Sequence, residues 1–204
     1  MDDNIVENLE GHKNVLFQRS LGRLRRCSGD SNFKAEHVKI YGLNFAPFFG
    51  VDLVELLLLN GANIEVKTRS SEGATPLIFA SGMSDAIKVI SLLLKHGADI
   101  EAKNKHGSTA LHYASRKGCY NVIKVLIARG ANINSVNNYG NTPLHHALKK
   151  RINVNVVNLL LASGVDVEIK NNNGKSFLDL GAHLWYVQGI MMENNKRNIK
   201  PAKK

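Results

Sequence analysis

The chain has 204 residues, 44% of them apolar, and a formal charge of +10 at pH 7. That apolar content suffices for one or two packed domains and excludes a wholly disordered chain, while the basic balance favours acidic partners and says nothing of fold. The two cysteines, Cys27 and Cys119, lie far apart with no second pair at zinc-ligand spacing. This excludes a disulfide-dense secreted scaffold and fits a reducing, cytoplasmic setting.

In chain order, Met1-Asp2-Asp3-Asn4 is acidic where a secretory signal carries positive charge, and no apolar stretch of signal length follows. Ile5, Val6, Leu9, Val15, Leu16, Phe17, Leu21 and Leu24 recur at roughly helical spacing and predict a capping helical segment over residues 1–35. The run Val51 to Leu59 is interrupted by Asp52 and Glu55 and is roughly half the ~20 residues needed to span a bilayer. It reads as a buried helix, and no membrane partner is expected.

Beyond it the sequence repeats. Gly73, Gly107, Gly140 and Gly174 stand 34, 33 and 34 residues apart, and Gly61, Gly97, Gly130 and Gly164 form a second ladder with steps of 36, 33 and 34. The same phrase recurs at the first three glycines of the first ladder: Gly73-Ala74-Thr75-Pro76-Leu77, Gly107-Ser108-Thr109-Ala110-Leu111-His112 and Gly140-Asn141-Thr142-Pro143-Leu144-His145. A threonine hydroxyl caps the bare amides of a helix start, and proline in the first helical position has no amide to leave unpaired. A first helix therefore begins there, with a narrow stripe such as Leu111 and Ala114, or Leu144 and Ala147. A second helix follows at Val89 to Lys95, Val122 to Ala128 and Val156 to Ala162, each closing on a second-ladder glycine that tolerates the left-handed turn. The chain then alternates polar and apolar residues, as in Ala131-Asn132-Ile133-Asn134, on its way to the next unit.

On these residues the sequence resembles the ankyrin-repeat family, over about residues 36–182. The resemblance implies an all-α solenoid of stacked helix-turn-helix units with extended hairpin-like loops. Residues 104–136 match the family's 33-residue unit without insertion, and residues 70–103 and 137–170 each carry one extra residue before the second helix. Residues 36–69 look like a degenerate first repeat, with Leu43 and Ala46 in first-helix positions. In residues 171–192, a C-terminal capping half-repeat, Ser176-Phe177-Leu178-Asp179 replaces the threonine-proline motif. Residues 193–204 form a basic tail expected to fray. Short helices are marginal alone, so terminal units need altered outer faces.

The resemblance implies that partners bind a concave face built from loop tips and first-helix ends. At the tips lie Ser71, Glu72 and Ala74; Lys105, His106 and Ser108; Asn138, Tyr139 and Asn141; and Asn172, Asn173 and Lys175. At the helix ends lie Phe48 and Phe49, Gly82 and Met83, Arg116 and Lys117, and Lys149 and Lys150. The candidate partner-binding residues are Lys105, His106, Ser108, Arg116, Lys117, Asn138, Tyr139, Asn141, Lys149, Lys150, Asn172 and Lys175. Arg116-Lys117 and Lys149-Lys150-Arg151 occupy the same place in successive units and are expected to stack into a basic stripe for an acidic ligand. The bland alternative is that these cations only solvate helix ends. Tyr139 is the best single anchor, since tyrosine gives large contact area at low entropy cost, with packing on the next loop as the alternative. Phe48 and Phe49 read either as an apolar hot spot or as covered by residues 1–35.

His112 and His145 fill the motif position that, by resemblance, braces the loop, and the adjacent pair His145-His146 points two ways, poor geometry for one metal ion. Cys119 and His112 lack an orienting third group for nucleophilic chemistry, and no phosphate loop is present. No catalytic residue, cofactor or metal is expected. Arg23, Arg25 and Arg26, with Lys196, Arg197, Lys200, Lys203 and Lys204, form terminal basic clusters that read as solubilising or as nuclear-import signals. Asn134 sits in a context resembling asparagines hydroxylated in some ankyrin repeats. The function that follows is a monomeric, non-enzymatic adaptor, inhibitor or host-directed effector binding a protein with an acidic surface. The alternative is nucleic-acid binding through the basic stripe and tails, weakened by the lack of interleaved aromatic residues.

Overall fold

A computed structural model describes residues 43, 50–59, 61–68, 72–148, 153–181 and 189. Its described helices are α1 (Val51–Leu59), α2 (Pro76–Ala80), α3 (Ile87–Lys95), α4 (Ala110–Lys117), α5 (Tyr120–Ala128), α6 (Pro143–Ala147), α7 (Val154–Ala162) and α8 (Phe177–Gly181). Among the described residues there is no strand. The expected segments 1–35 and 193–204, and the basic clusters within them, lie outside the described residues, as do Cys27, Phe48 and Phe49.

Local chemistry sets the starts. Thr75 accepts the Ile78 amide on its hydroxyl and Pro76 opens α2. In α4 and α6 the histidine three residues after the threonine replies: His112 Nδ1 accepts the Thr109 amide at 3.2 Å, and His145 Nδ1 accepts the Thr142 amide at 3.2 Å. The first helices differ in length, since α4 runs eight residues whereas α2 and α6 run five. The extra residue of the units around α2 and α6 thus falls after a shortened first helix, and the chain turns through Ser81–Ala86 before α3. At the other end of the unit, Gly130 takes φ of 87° and lets the Ala131 amide reach back 3.0 Å to the Leu126 carbonyl.

The helices form two rows. First helices α2, α4, α6 and α8 pack in succession, second helices α1, α3, α5 and α7 do likewise, and each first helix rests on its own second helix where both are described. Equivalent residues line the core: Leu77, Leu111 and Leu144 from one row, and Ile90, Ile123, Val157, Leu93, Leu126 and Leu160 from the other, all within 1% of full burial. Burying each is worth about 1.5–3 kcal/mol, so a helix too short to persist alone is held by its neighbours. Phe177, which stands in the motif's proline position, is fully buried in α8.

Two further ladders tie the units. After each second helix, Glu65, Glu101 and Asn134 accept the backbone amides of Asp99, Asn132 and Asp166 in the next unit, at 2.8, 2.7 and 2.9 Å. Across the tips the Lys105, Asn138 and Asn172 amides donate to the carbonyls of Glu72, His106 and Tyr139, each at 3.0 Å.

Candidate functional site

The loops before α4 and α6 are each shaped by a buried asparagine. Asn104 Oδ1 accepts the amides of His106 and Ser108, both at 2.9 Å, and Asn137 Oδ1 accepts those of Tyr139 and Asn141, both at 3.0 Å. Asn137 also donates from Nδ2 to Ser108 Oγ at 3.2 Å and to His146 Nε2 at 3.1 Å, which fills its bonding capacity and joins two loops to α6.

Between these tips and the first helices lies a cavity of about 290 Å³, with Glu72, Asn137, Tyr113, Arg116, Tyr139 and His146 among its walls. On the loop side, Tyr139 is 54% exposed, its ring stacks on His106 with centroids 6.1 Å apart, and its hydroxyl lies 3.3 Å from His106 Nδ1. On the helix side, Tyr113 donates its hydroxyl to Glu72 Oε2 at 2.9 Å, and the Arg116 guanidinium sits 4.4 Å from the centre of the Tyr113 ring. Arg116 also meets Glu72 Oε1 at 3.5 Å. Lys117 Nζ stands 5.9 Å from the same ring. Burial, then the Glu72 carboxylate, push the Tyr113 phenol above its ordinary pKa.

The candidate residues differ in how far their side chains are exposed around this cavity. His106, Arg116 and Tyr139 line the cavity as exposed or half-buried side chains, Lys117 is exposed beside Tyr113, and Lys105 is exposed on its loop. Ser108 and Asn141 do not offer free side chains: both are buried, Ser108 Oγ accepts from Asn137, and Asn141 Oδ1 accepts from Asn171. They hold loop to loop because a hydroxyl or amide beside the loop asparagine is the nearest partner for the next unit. Asn138 and Asn172 are exposed, yet their amides donate to the carbonyls of Lys105 and Asn138 at 3.1 and 3.0 Å. Lys175 is exposed, while its carbonyl accepts from His145 Nε2 at 3.1 Å. Lys149 and Lys150, the second half of the basic stripe, lie outside the described residues, as does Ser71.

Tyr113, His146, Asn104 and Asn137 were not among the candidates, and Glu72 was expected at a loop tip but not among the partner-binding residues. The available signal was positional: Tyr113 and His146 both follow the motif leucine by two residues, a place that faces the loops. The Glu72 pairing required knowing that Arg116 bends back over Tyr113. Gly82, on the neighbouring unit, makes room for that ring, because a Cβ there would lie 2.8 Å from Tyr113 Cε1.

Elsewhere the chemistry is quiet. His112 uses Nδ1 on Thr109 and Nε2 on the Asn141 carbonyl, so neither nitrogen serves Cys119, whose thiol is buried, pushed up in pKa by that burial, and 3.7 Å from Ser84 Oγ. Among the described residues no three His, Cys, Asp or Glu side chains are grouped to hold a metal ion, and no helix is long and apolar enough to cross a membrane. Asn134 has its side-chain oxygen engaged by the Asp166 amide.

Family models of ankyrin repeats match residues 43–137, as three copies, and residues 126–180. The chain belongs to the ankyrin-repeat family. Ankyrin repeats are generally protein-protein interaction modules and typically non-enzymatic. A search of curated proteins returns no match.

Proposed function

We propose that this ankyrin-repeat protein binds an acid-bearing segment of a protein partner in the groove between Tyr139 and Arg116. The observation that carries the reading is the cavity itself: about 290 Å³, open between an exposed aromatic anchor on the loops and a positioned guanidinium on a helix. That volume lies at the lower edge of the roughly 300–1,000 Å³ of small-molecule sites, and it suits one or two side chains of a docked chain better than a cofactor. Tyrosine and arginine are also the residues that most often dominate interface energy. The exposed Lys117, 5.9 Å from the centre of the Tyr113 ring, adds positive charge beside the groove and favours an acidic partner. A net charge of +10 opposes self-association, in keeping with a monomer, and a buried unpaired thiol suits the cytoplasm.

The test is quantitative capture from cell extract on the wild-type chain and on Tyr139→Ala and Arg116→Gln. A specific band retained by wild type and depleted at least severalfold by each variant supports the groove. Equal retention by all three chains refutes it. Salt titration against a labelled oligonucleotide addresses the other macromolecule: tight binding of any sequence with a steep salt slope would assign the chain to nucleic acid instead.

A further inference from the structure

We propose that Glu72 is an internal competitor for the groove's anion anchor, so that a partner carboxylate binds by taking Arg116 from it. This rests on the groove being the partner site. Among the described residues Glu72 is the one acidic residue lining the cavity, and its contact with Arg116 is the single Lys or Arg pairing with a carboxylate between them. The contact is a lone approach of 3.5 Å with both side chains about one-third exposed, at 35% and 36%, and lacks the two-pronged geometry that makes arginine pairs strong. Exposed pairs of this kind shift an equilibrium by only about 1.4- to 5-fold. Glu72 therefore holds Arg116 weakly enough to be displaced.

Two features make the exchange favourable. Arg116 does not lose its place when Glu72 lets go, because its guanidinium still lies 4.4 Å above the Tyr113 ring and that ring is packed against Gly82. Glu72 is not stranded either, because it keeps the Tyr113 hydroxyl at 2.9 Å. The incoming group must be an anion: a partner cation reaching Glu72 would face Arg116 and, 5.9 Å from the same ring, Lys117. In this arrangement Glu72 lowers affinity for acidic segments that offer one weak contact and leaves it adequate for those that also reach the Tyr139 shelf, which is selectivity by a built-in repulsive element.

The probe is a fluorescently labelled random copolymer of glutamate and tyrosine, which offers carboxylates and aromatic rings together, with polylysine as the opposite charge. Binding is read by anisotropy on the full chain, with circular dichroism checking each variant. Wild type is expected to bind the copolymer over polylysine. Glu72→Gln is expected to bind it about two- to fivefold more tightly, and Arg116→Gln at least fivefold more weakly. The double variant should match Arg116→Gln, since Glu72 acts through Arg116. If Tyr139→Ala weakens binding but Glu72→Gln does not tighten it, or if the double variant keeps the gain, Glu72 is no competitor and the groove reading stands. If wild type ignores the copolymer, prefers polylysine, or is indifferent to Tyr139→Ala, the acid-binding groove falls and this inference with it.

Discussion

His112 Nε2 donates across the unit boundary to the carbonyl oxygen of Asn141, 2.9 Å away, while its Nδ1 accepts from Thr109. The Thr109 contact needs the neutral ring, because a protonated Nδ1 cannot accept, and burial, the largest cause, pushes the pKa down to about 4 from 6.5. The unfolded chain therefore takes up a proton that the folded chain refuses between those values. Stability is full above about pH 6.5 and is lost as pH falls toward 4, by roughly 3 kcal/mol in all. Urea denaturation at pH 7 and pH 4 checks this against His112→Gln, which cannot titrate there. The wild-type drop should exceed the variant's by about that amount, and parallel profiles would contradict it.

Gly107 and Gly130 both hold left-handed backbone, at φ of 71° and 87°, and they separate strain from crowding. A Cβ on Gly130 meets open space, whereas one on Gly107 overlaps the Asn138 side-chain oxygen and comes within 2.8 Å of its backbone nitrogen. Gly130→Ala should cost about 1 kcal/mol from backbone conformation alone, and Gly107→Ala clearly more, about 2–3 kcal/mol, because the next loop must move. Equal melting-temperature losses would show that the loops slide freely past one another.

Those two glycines also mark how much was legible. Positions fixed by a repeating local demand, such as the left-handed glycines, the threonine caps and the core triad Leu93, Leu126 and Leu160, appear in the sequence as a period. The site is built from residues that break the period. Tyr113 stands where the other units have Phe79 and His146, and its role depends on Gly82 one unit back and on Glu72, 41 residues away. Asn141 and Ser108 looked like open tips because loop asparagines and serines usually face water, and only the cross-loop bonds from Asn171 and Asn137 show that they are spent on structure. Pattern reads the scaffold well, while pairings between unlike units have no periodic signature.

Asn137 should be the costliest polar residue of the loops. Asn137→Ala removes the acceptor of two backbone amides and the donor to Ser108 and His146, a buried loss of about 2–3 kcal/mol. Asn137→Asp keeps the acceptor and loses the donor, so it should fall between wild type and alanine at pH 7. Chemical denaturation orders the three, and an aspartate variant as unstable as alanine would mean that the donor bonds dominate.

Glu72→Gln should leave stability nearly unchanged, within about 0.5 kcal/mol, since both partners of its pair are partly exposed. It should nonetheless move one tyrosine. Of the causes that raise the Tyr113 phenol, the Glu72 hydrogen bond and charge come after burial. Removing that charge lowers the phenol pKa toward its ordinary value without reaching it. Carbon-13 tyrosine NMR, resolving the five tyrosines, measures this, and an unmoved Tyr113 would mean that the carboxylate is not its acceptor.

Gly82→Ala tests the groove from beneath. The added Cβ would sit 2.8 Å from Tyr113 Cε1, and the ring, half-buried at the cavity wall, has room to shift. The stability loss should therefore stay below about 1 kcal/mol, well short of a core cavity mutation. Binding should suffer more, because the Arg116 guanidinium rides on that ring at 4.4 Å and moves with it. The expected outcome is a severalfold weaker hold on the glutamate–tyrosine copolymer at near-wild-type melting temperature. Arg116→Gln in the Gly82→Ala background should then add little further loss. If the two losses add in full, Gly82 acts elsewhere, and the chain of contact from Gly82 through Tyr113 to Arg116 does not position the anchor.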